Sequence, residues 1–134
     1  MSEDNKLKLL IEELKMIQDI IKRMADNSFK LKQWCVTVVV ITMTFQVNIN
    51  NCFIPLIPLF TFGILDAYYL TLERNFREIY NKKVENFHKE TLNDIFTFNI
   101  NRHFNITDLC VAIRSKSIWL FYGCILIIVL ISIK

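Results

Sequence analysis

Apolar and polar positions follow two different rhythms along this chain. Between residues 5 and 28, Leu7, Leu10, Leu14, Ile17, Ile21 and Met24 recur at alternating steps of three and four, the a/d spacing of a coiled-coil seam. Ile11, Met16 and Ile20 widen the stripe. The spacing predicts a long amphipathic cytoplasmic helix over residues 1–30. Its apolar stripe needs a partner, either another segment of the same chain or the same helix of a second subunit. Glu12 and Glu13 sit side by side on this helix and read as part of its solvated face.

From Leu31 onward the stripe gives way to solid apolar blocks. Residues 31–49 would cover about 28 Å as a helix, close to the hydrocarbon thickness of a bilayer, and are read as a first span. Residues 52–72 form a second, with Pro55 and Pro58 near its start, where a helix lacks partners for its backbone donors anyway. The Asn-rich stretch Asn48 to Asn51 leaves room only for a tight hairpin. No Gly or Pro ends the second block, and Leu72, Phe76 and Ile79 carry its helical pattern out of the bilayer to about Val84. Residues 85–116 read as a loop followed by a helix. Within them Phe96, Phe98 and Ile100 alternate with Thr97 and Asn99, which permits a short strand. Thr107 and Asp108 would cap a helix leading through Arg114 into a third span, residues 117–133, whose apolar part from Ile118 is about 24 Å long. The fold class is thus an all-α membrane protein with three transmembrane helices, the second extended into the cytoplasm.

Composition agrees with that reading. Hydrophobic residues make up 53% of 134 residues and the mean hydropathy is +0.33, so the excess apolar surface is expected to face lipid. The net charge of +3 lies beside the blocks: Lys22, Arg23, Lys30 and Lys32 before the first, Arg74, Arg77, Lys82 and Lys83 after the second, Arg114 and Lys116 before the third. The Asn-rich hairpin has none. Basic flanks stay inside, so the N-terminus is expected in the cytoplasm and the C-terminus on the far side of a bacterial cytoplasmic membrane. The charge does not point to nucleic acid. The first 27 residues lack the apolar core and cleavage site of a secretory signal.

Chemistry is sparse. Cys35, Cys52, Cys110 and Cys124 share no metal-ligand spacing and are expected to be small packing residues, and His88 and His103 stand alone. No nucleophile elbow, phosphate loop or paired-carboxylate arrangement occurs, so neither an enzyme nor a cofactor is expected. Asp66 is the most informative residue, because an ionisable group at membrane depth costs roughly 2.5–3.5 kcal/mol unless paired or wet. Lys30 or Lys32 could snorkel to it, making a salt bridge that clamps the hairpin, or it could attract cations at a pore mouth. In the first span Gln33, Thr37, Ile41, Thr44 and Asn48 recur at helical spacing as one polar face, able to line a path if subunits turned it toward an axis, with Ile41 as a constriction. The alternative is that the threonines bond their own backbone. Further on, Asp66, Glu73 and Arg77 share a face, Glu73 with Arg77 is a favourable i,i+4 pair, and Tyr69, Phe76 and Tyr80 form an aromatic ridge suited to helix packing.

Two stretches, Arg23 through Thr37 (RMADNSFKLKQWCVT) and Leu65 through Tyr80 (LDAYYLTLERNFREIY), together with Phe121, Tyr122 and Gly123, resemble a group of small bacterial inner-membrane proteins of uncharacterised function. The group shares a basic, aromatic entry to the first span and an acidic, aromatic exit from the second; Gln33 stands where its pattern has Gly. The resemblance implies the topology and no catalytic residues. Architecture then predicts a homo-oligomeric pore-forming or membrane-disrupting effector in bacterial defence or stress, with the lipid bilayer as a partner. The alternative is a membrane anchor or adaptor that binds a cytoplasmic protein.

Overall fold

The computed structural model describes residues 3–46, 53–88 and 106–132. These residues are all-helical: α1 spans Glu3–Gln46, α2 Leu56–His88, α3 Ile106–Ile113 and α4 Lys116–Ser132. The short strand expected near 95–100 and the hairpin apex with Asn48 lie outside the described residues.

α1 is one helix of 44 residues, about 66 Å long by helical rise and roughly twice the hydrocarbon thickness of a bilayer. The division expected near residue 30 is not a break, because nothing between Glu3 and Gln46 is Gly or Pro. Its inward positions are Leu10, Glu13, Ile17, Ser28, Cys35 and Val39. They advance at the 3.6-residue turn of a straight helix, so the seam does not keep the strict seven-residue repeat that imposes a supercoil.

α2 begins at Leu56, later than the expected residue 52, because Phe53 to Pro55 form a turn in which the Leu56 amide donates to the Phe53 carbonyl at 3.1 Å. Pro58 falls in the first helical turn, where its missing donor leaves no bond unmade. The helix then runs to His88, a turn beyond the expected end near Val84. α1 and α2 pack antiparallel over most of their length, in register from Glu13 with Lys83, through Gln18 with Tyr80, to Ser28 with Asp66. α2 is the central helix: α1 packs on it, and so do α3 and α4.

α3 does not lead straight into α4. The two meet at 58°. Ser115 makes the break, its carbonyl accepting the Trp119 amide at 3.1 Å as the first bond of α4 and its hydroxyl accepting from Arg74 Nη2 at 3.3 Å. The expected helix through Arg114 is thus interrupted by a serine at an N-cap position. α4 docks on α2 with the Tyr122 ring against Gly63. A Cβ at Gly63 would lie 3.7 Å from that ring, and the Tyr122 hydroxyl donates to the Phe62 carbonyl at 3.2 Å.

The buried core joins all four helices: Cys35 and Val39 from α1, Leu59 and Ala67 from α2, Ala112 from α3, and Ile118, Tyr122 and Val129 from α4. At the same end of the molecule large apolar side chains also cover the outside, among them Trp34, Phe45, Phe60, Ile64, Trp119 and Leu120. Toward the N-terminus of α1 only Leu7, Ile11 and Met16 are exposed in this way, and α2 presents none among its described residues beyond Tyr68. One helix, α2 over Leu56–Asn86, is long and apolar enough to cross a membrane, and α3 with α4 reaches that length only as the bent pair. Within its described residues α1 does not meet the same measure, which leaves one or two candidate spans where three were expected.

Candidate functional site

Asp66 is fully buried between α1 and α2, and the reasons lie one helical turn apart on α1. The Ser28 hydroxyl donates to Asp66 Oδ1, Lys32 Nζ lies 2.8 Å from Asp66 Oδ2, and the same ammonium donates to Ser28 Oγ at 2.9 Å. A buried carboxylate is tolerated only when paired in this way. Of the two lysines expected near Asp66, Lys32 makes the contact and Lys30 is exposed. Oδ2 accepts no aligned hydrogen bond, so the ion pair leaves it with spare acceptor capacity. The Tyr122 hydroxyl faces this carboxylate from α4.

Beside the triad lies an open cavity of about 340 Å³, lined by Asp66, Lys32, Glu73, Phe29, Leu70 and Ser117 among others. It forms where α4 begins, between two helices that both pack on α2 and hardly on each other. Glu73 enters it from α2, one side of its carboxylate held by Arg77 at 2.8 Å, the i,i+4 pair expected from the sequence. Both carboxylates of the lining are thus paired, Asp66 with Lys32 and Glu73 with Arg77.

A second buried ion pair locks the other end of the hairpin. Glu13 is fully buried, bonded through Oε1 to Lys83, and its Oε2 has no hydrogen-bond partner. This corrects the expectation that Glu12 and Glu13 are a solvated pair: Glu12 is exposed, but Glu13 lies three residues after Leu10 and four before Ile17, inside the inward stripe. The signal was present in the spacing, hidden by the habit of placing glutamate outside.

The polar face of α1 points the opposite way. Gln33, Thr37, Ile41 and Thr44 are all exposed, turned away from α2, and Asn48 lies outside the described residues. Thr37 donates to the Gln33 carbonyl at 3.0 Å and Thr44 to the Val40 carbonyl at 2.9 Å, the back-bonding common in apolar helices. Asp66 does not join these residues. Among the seam residues Leu10 and Ile17 are buried, Leu14, Ile21 and Met24 half-buried, and Leu7 exposed; α2 of the same chain covers the stripe. Tyr69, Glu73, Phe76 and Tyr80 are half-buried and Arg77 exposed, with Gln18 Nε2 donating to the Tyr80 hydroxyl at 3.0 Å. Of the cysteines, Cys35 packs inside as expected, whereas Cys110 and Cys124 are exposed, since α3 and α4 turn only one face to α2. No cluster of three or more metal-ligating side chains occurs among the described residues. No protein-family model, curated protein or solved structure matches the chain.

Proposed function

We propose that this chain is an integral protein of a bacterial cytoplasmic membrane that assembles with copies of itself and opens or disrupts the bilayer, as an effector of defence or stress. The apolar halves of α1 and α2, with α4, lie in lipid. The polar half of the hairpin stands in the cytoplasm with the N-terminus, and the C-terminus is on the far side. The observation that carries the reading is the outward stripe of Gln33, Thr37 and Thr44 on an otherwise apolar outer surface. A glutamine amide facing lipid is left without partners unless another subunit or water meets it, so this face favours an axis between copies. Ile41 lies within the stripe and would narrow any path along it. Asp66 and Lys32 hold the hairpin on the other side of α1 and keep the stripe presented.

Ion flux into liposomes loaded with a reporter dye tests the proposal directly. The purified chain is expected to release ions, and Gln33→Leu or Thr44→Leu to abolish release while leaving the particle mass unchanged. A sealed vesicle containing a confirmed oligomer, or a monomer by particle mass, rejects it. One observation favours a second reading, a membrane anchor or adaptor for a cytoplasmic protein. The seam of α1 is covered by α2 instead of being left open, so the polar half of the hairpin forms a finished stalk whose outer face is free for a different protein.

A further inference from the structure

We infer that the break between α3 and α4 docks on the headgroups of an anionic phospholipid surface, of the phosphatidylglycerol type, with α3 lying in the headgroup layer, an inference that rests on the membrane reading above. Cations from two parts of the chain meet at this break. Arg114 and Lys116 flank Ser115 in sequence, and Arg74 reaches it from α2 through the hydrogen bond to the Ser115 hydroxyl at 3.3 Å. Each of these cations is exposed, and none is ion-paired with a carboxylate among the described residues. Elsewhere on α2 the basic residues are neutralised: Arg77, Lys82 and Lys83 hold Glu73, Glu78 and Glu13. Glu73, the neighbour of Arg74, is thus already engaged, and Asp108 is half-buried at the far end of α3. The break therefore gathers positive charge that the chain itself leaves uncompensated.

The surroundings of these charges select a lipid surface. One turn along α4, Trp119 and Leu120 are 68% and 75% exposed, and further on Ile127, Ile128 and Leu130 are exposed as well. Cation, indole and aliphatic side chain thus follow one another in the order in which a membrane presents phosphate, interface and acyl chain. On the other side of Ser115, α3 exposes Val111 and Ile113. Bent by 58° from α4, this helix of eight residues is about 12 Å long but advances only about 6 Å along the α4 axis. That advance fits the roughly 5–10 Å over which an interfacial helix sits between headgroups and acyl chains. A straight continuation of α4 would carry Val111 and Ile113 out into water. Two guanidinium forks and an ammonium suit the oxygens of a phosphate diester. A zwitterionic surface brings a cation with every phosphate and cancels the attraction, whereas an anionic one does not.

Native mass spectrometry of the full chain in detergent, titrated separately with phosphatidylglycerol and phosphatidylcholine, tests the inference. Phosphatidylglycerol is expected to be retained at least tenfold more strongly, and the preference to shrink as salt is raised. Arg114→Gln combined with Lys116→Gln removes side chains that hold nothing else in the chain and is expected to lower the preference about tenfold or more, since each charge beside an anionic surface contributes about fivefold. Lys8→Gln with Lys15→Gln, the same change of charge at exposed positions near the start of α1, is expected to leave it unaltered. Val111→Asp sets a like charge against the headgroup layer from α3 and is expected to lower the preference about fivefold, with circular dichroism to show that the helices persist. Equal retention of the two lipids, or an equal loss in the Lys8 and Lys15 variant, overturns the inference; an unaltered preference in Val111→Asp overturns the placement of α3. Soluble glycerophosphoglycerol is expected to compete weakly, and competition as strong as that of the lipid overturns the lipid source. Flotation of the chain with vesicles is scored separately. A chain that floats without headgroup preference sinks this inference alone, whereas one that stays at the bottom of the gradient sinks the membrane reading.

Discussion

The two halves of the α1–α2 hairpin have similar interiors and different exteriors. Each interior combines apolar side chains with one buried carboxylate paired to a lysine of the facing helix, Asp66 with Lys32 in one half and Glu13 with Lys83 in the other. Outside, the half with Phe45, Phe60 and Ile64 is covered in large apolar groups, while the other exposes Leu7, Ile11 and Met16 and otherwise mainly polar side chains. Helix pairing and helix environment are therefore set by separate residues. The inward stripe decides which helices meet and in what register, and the outward surface decides which solvent each half tolerates.

The comparison can be broken first at Asp66. Asp66→Leu leaves Lys32 facing an apolar interior and is expected to destabilise the chain by about 3–5 kcal/mol in thermal unfolding. Adding Lys32→Met should recover most of the loss, and a single variant no less stable than the parent would mean the clamp does not hold the hairpin. Ile17→Ala removes a fully buried side chain from the polar half, where only α1 and α2 pack, and should cost about 3 kcal/mol with selective loss of amide protection in residues 3–25. Glu13→Gln keeps the shape but loses the charge opposite Lys83, a change of about 2 kcal/mol. If Glu13→Gln proves more damaging than Asp66→Leu, the Glu13–Lys83 pair and not the Asp66 clamp is the main lock of the hairpin. The smallest effect is expected at Arg77→Ala, which breaks the exposed pair with Glu73 and should change stability by no more than about 0.5 kcal/mol.

Much of this fold was legible in the chain. The amphipathic stripe of α1, the extension of α2 past the apolar block and the Glu73–Arg77 pair follow from spacing and charge, as does a lysine clamp on Asp66, although spacing left Lys30 and Lys32 open and the fold selects Lys32. Single polar residues on apolar faces were harder to read. Ser28 follows Met24 by four residues and continues the inward stripe, yet a serine in mid-helix gives no hint of its partner until α2 is placed against it. Glu13 was masked in the same way by Leu14, its neighbour, which fits a seven-residue repeat better but lies farther from the facing helix. Ser115 interrupts a basic, apolar run that otherwise reads as continuous helix, and its effect depends on Arg74, forty-one residues away. The cavity draws on three helices and was invisible to any reading of one segment at a time.

The uninterrupted length of α1 has a consequence for signalling. If the membrane reading proposed above holds, about 30 Å of its 66 Å would lie in hydrocarbon and the remainder would stand out from the bilayer as a mast of some 36 Å. At physiological salt the field of the lipid headgroups decays over about 8 Å, so the tip near Glu3 lies several screening lengths away from it. On that reading a molecule arriving at the tip would feel the charges of the mast and not those of the membrane, and a tilt at the tip would be carried toward the bilayer by the continuous helix.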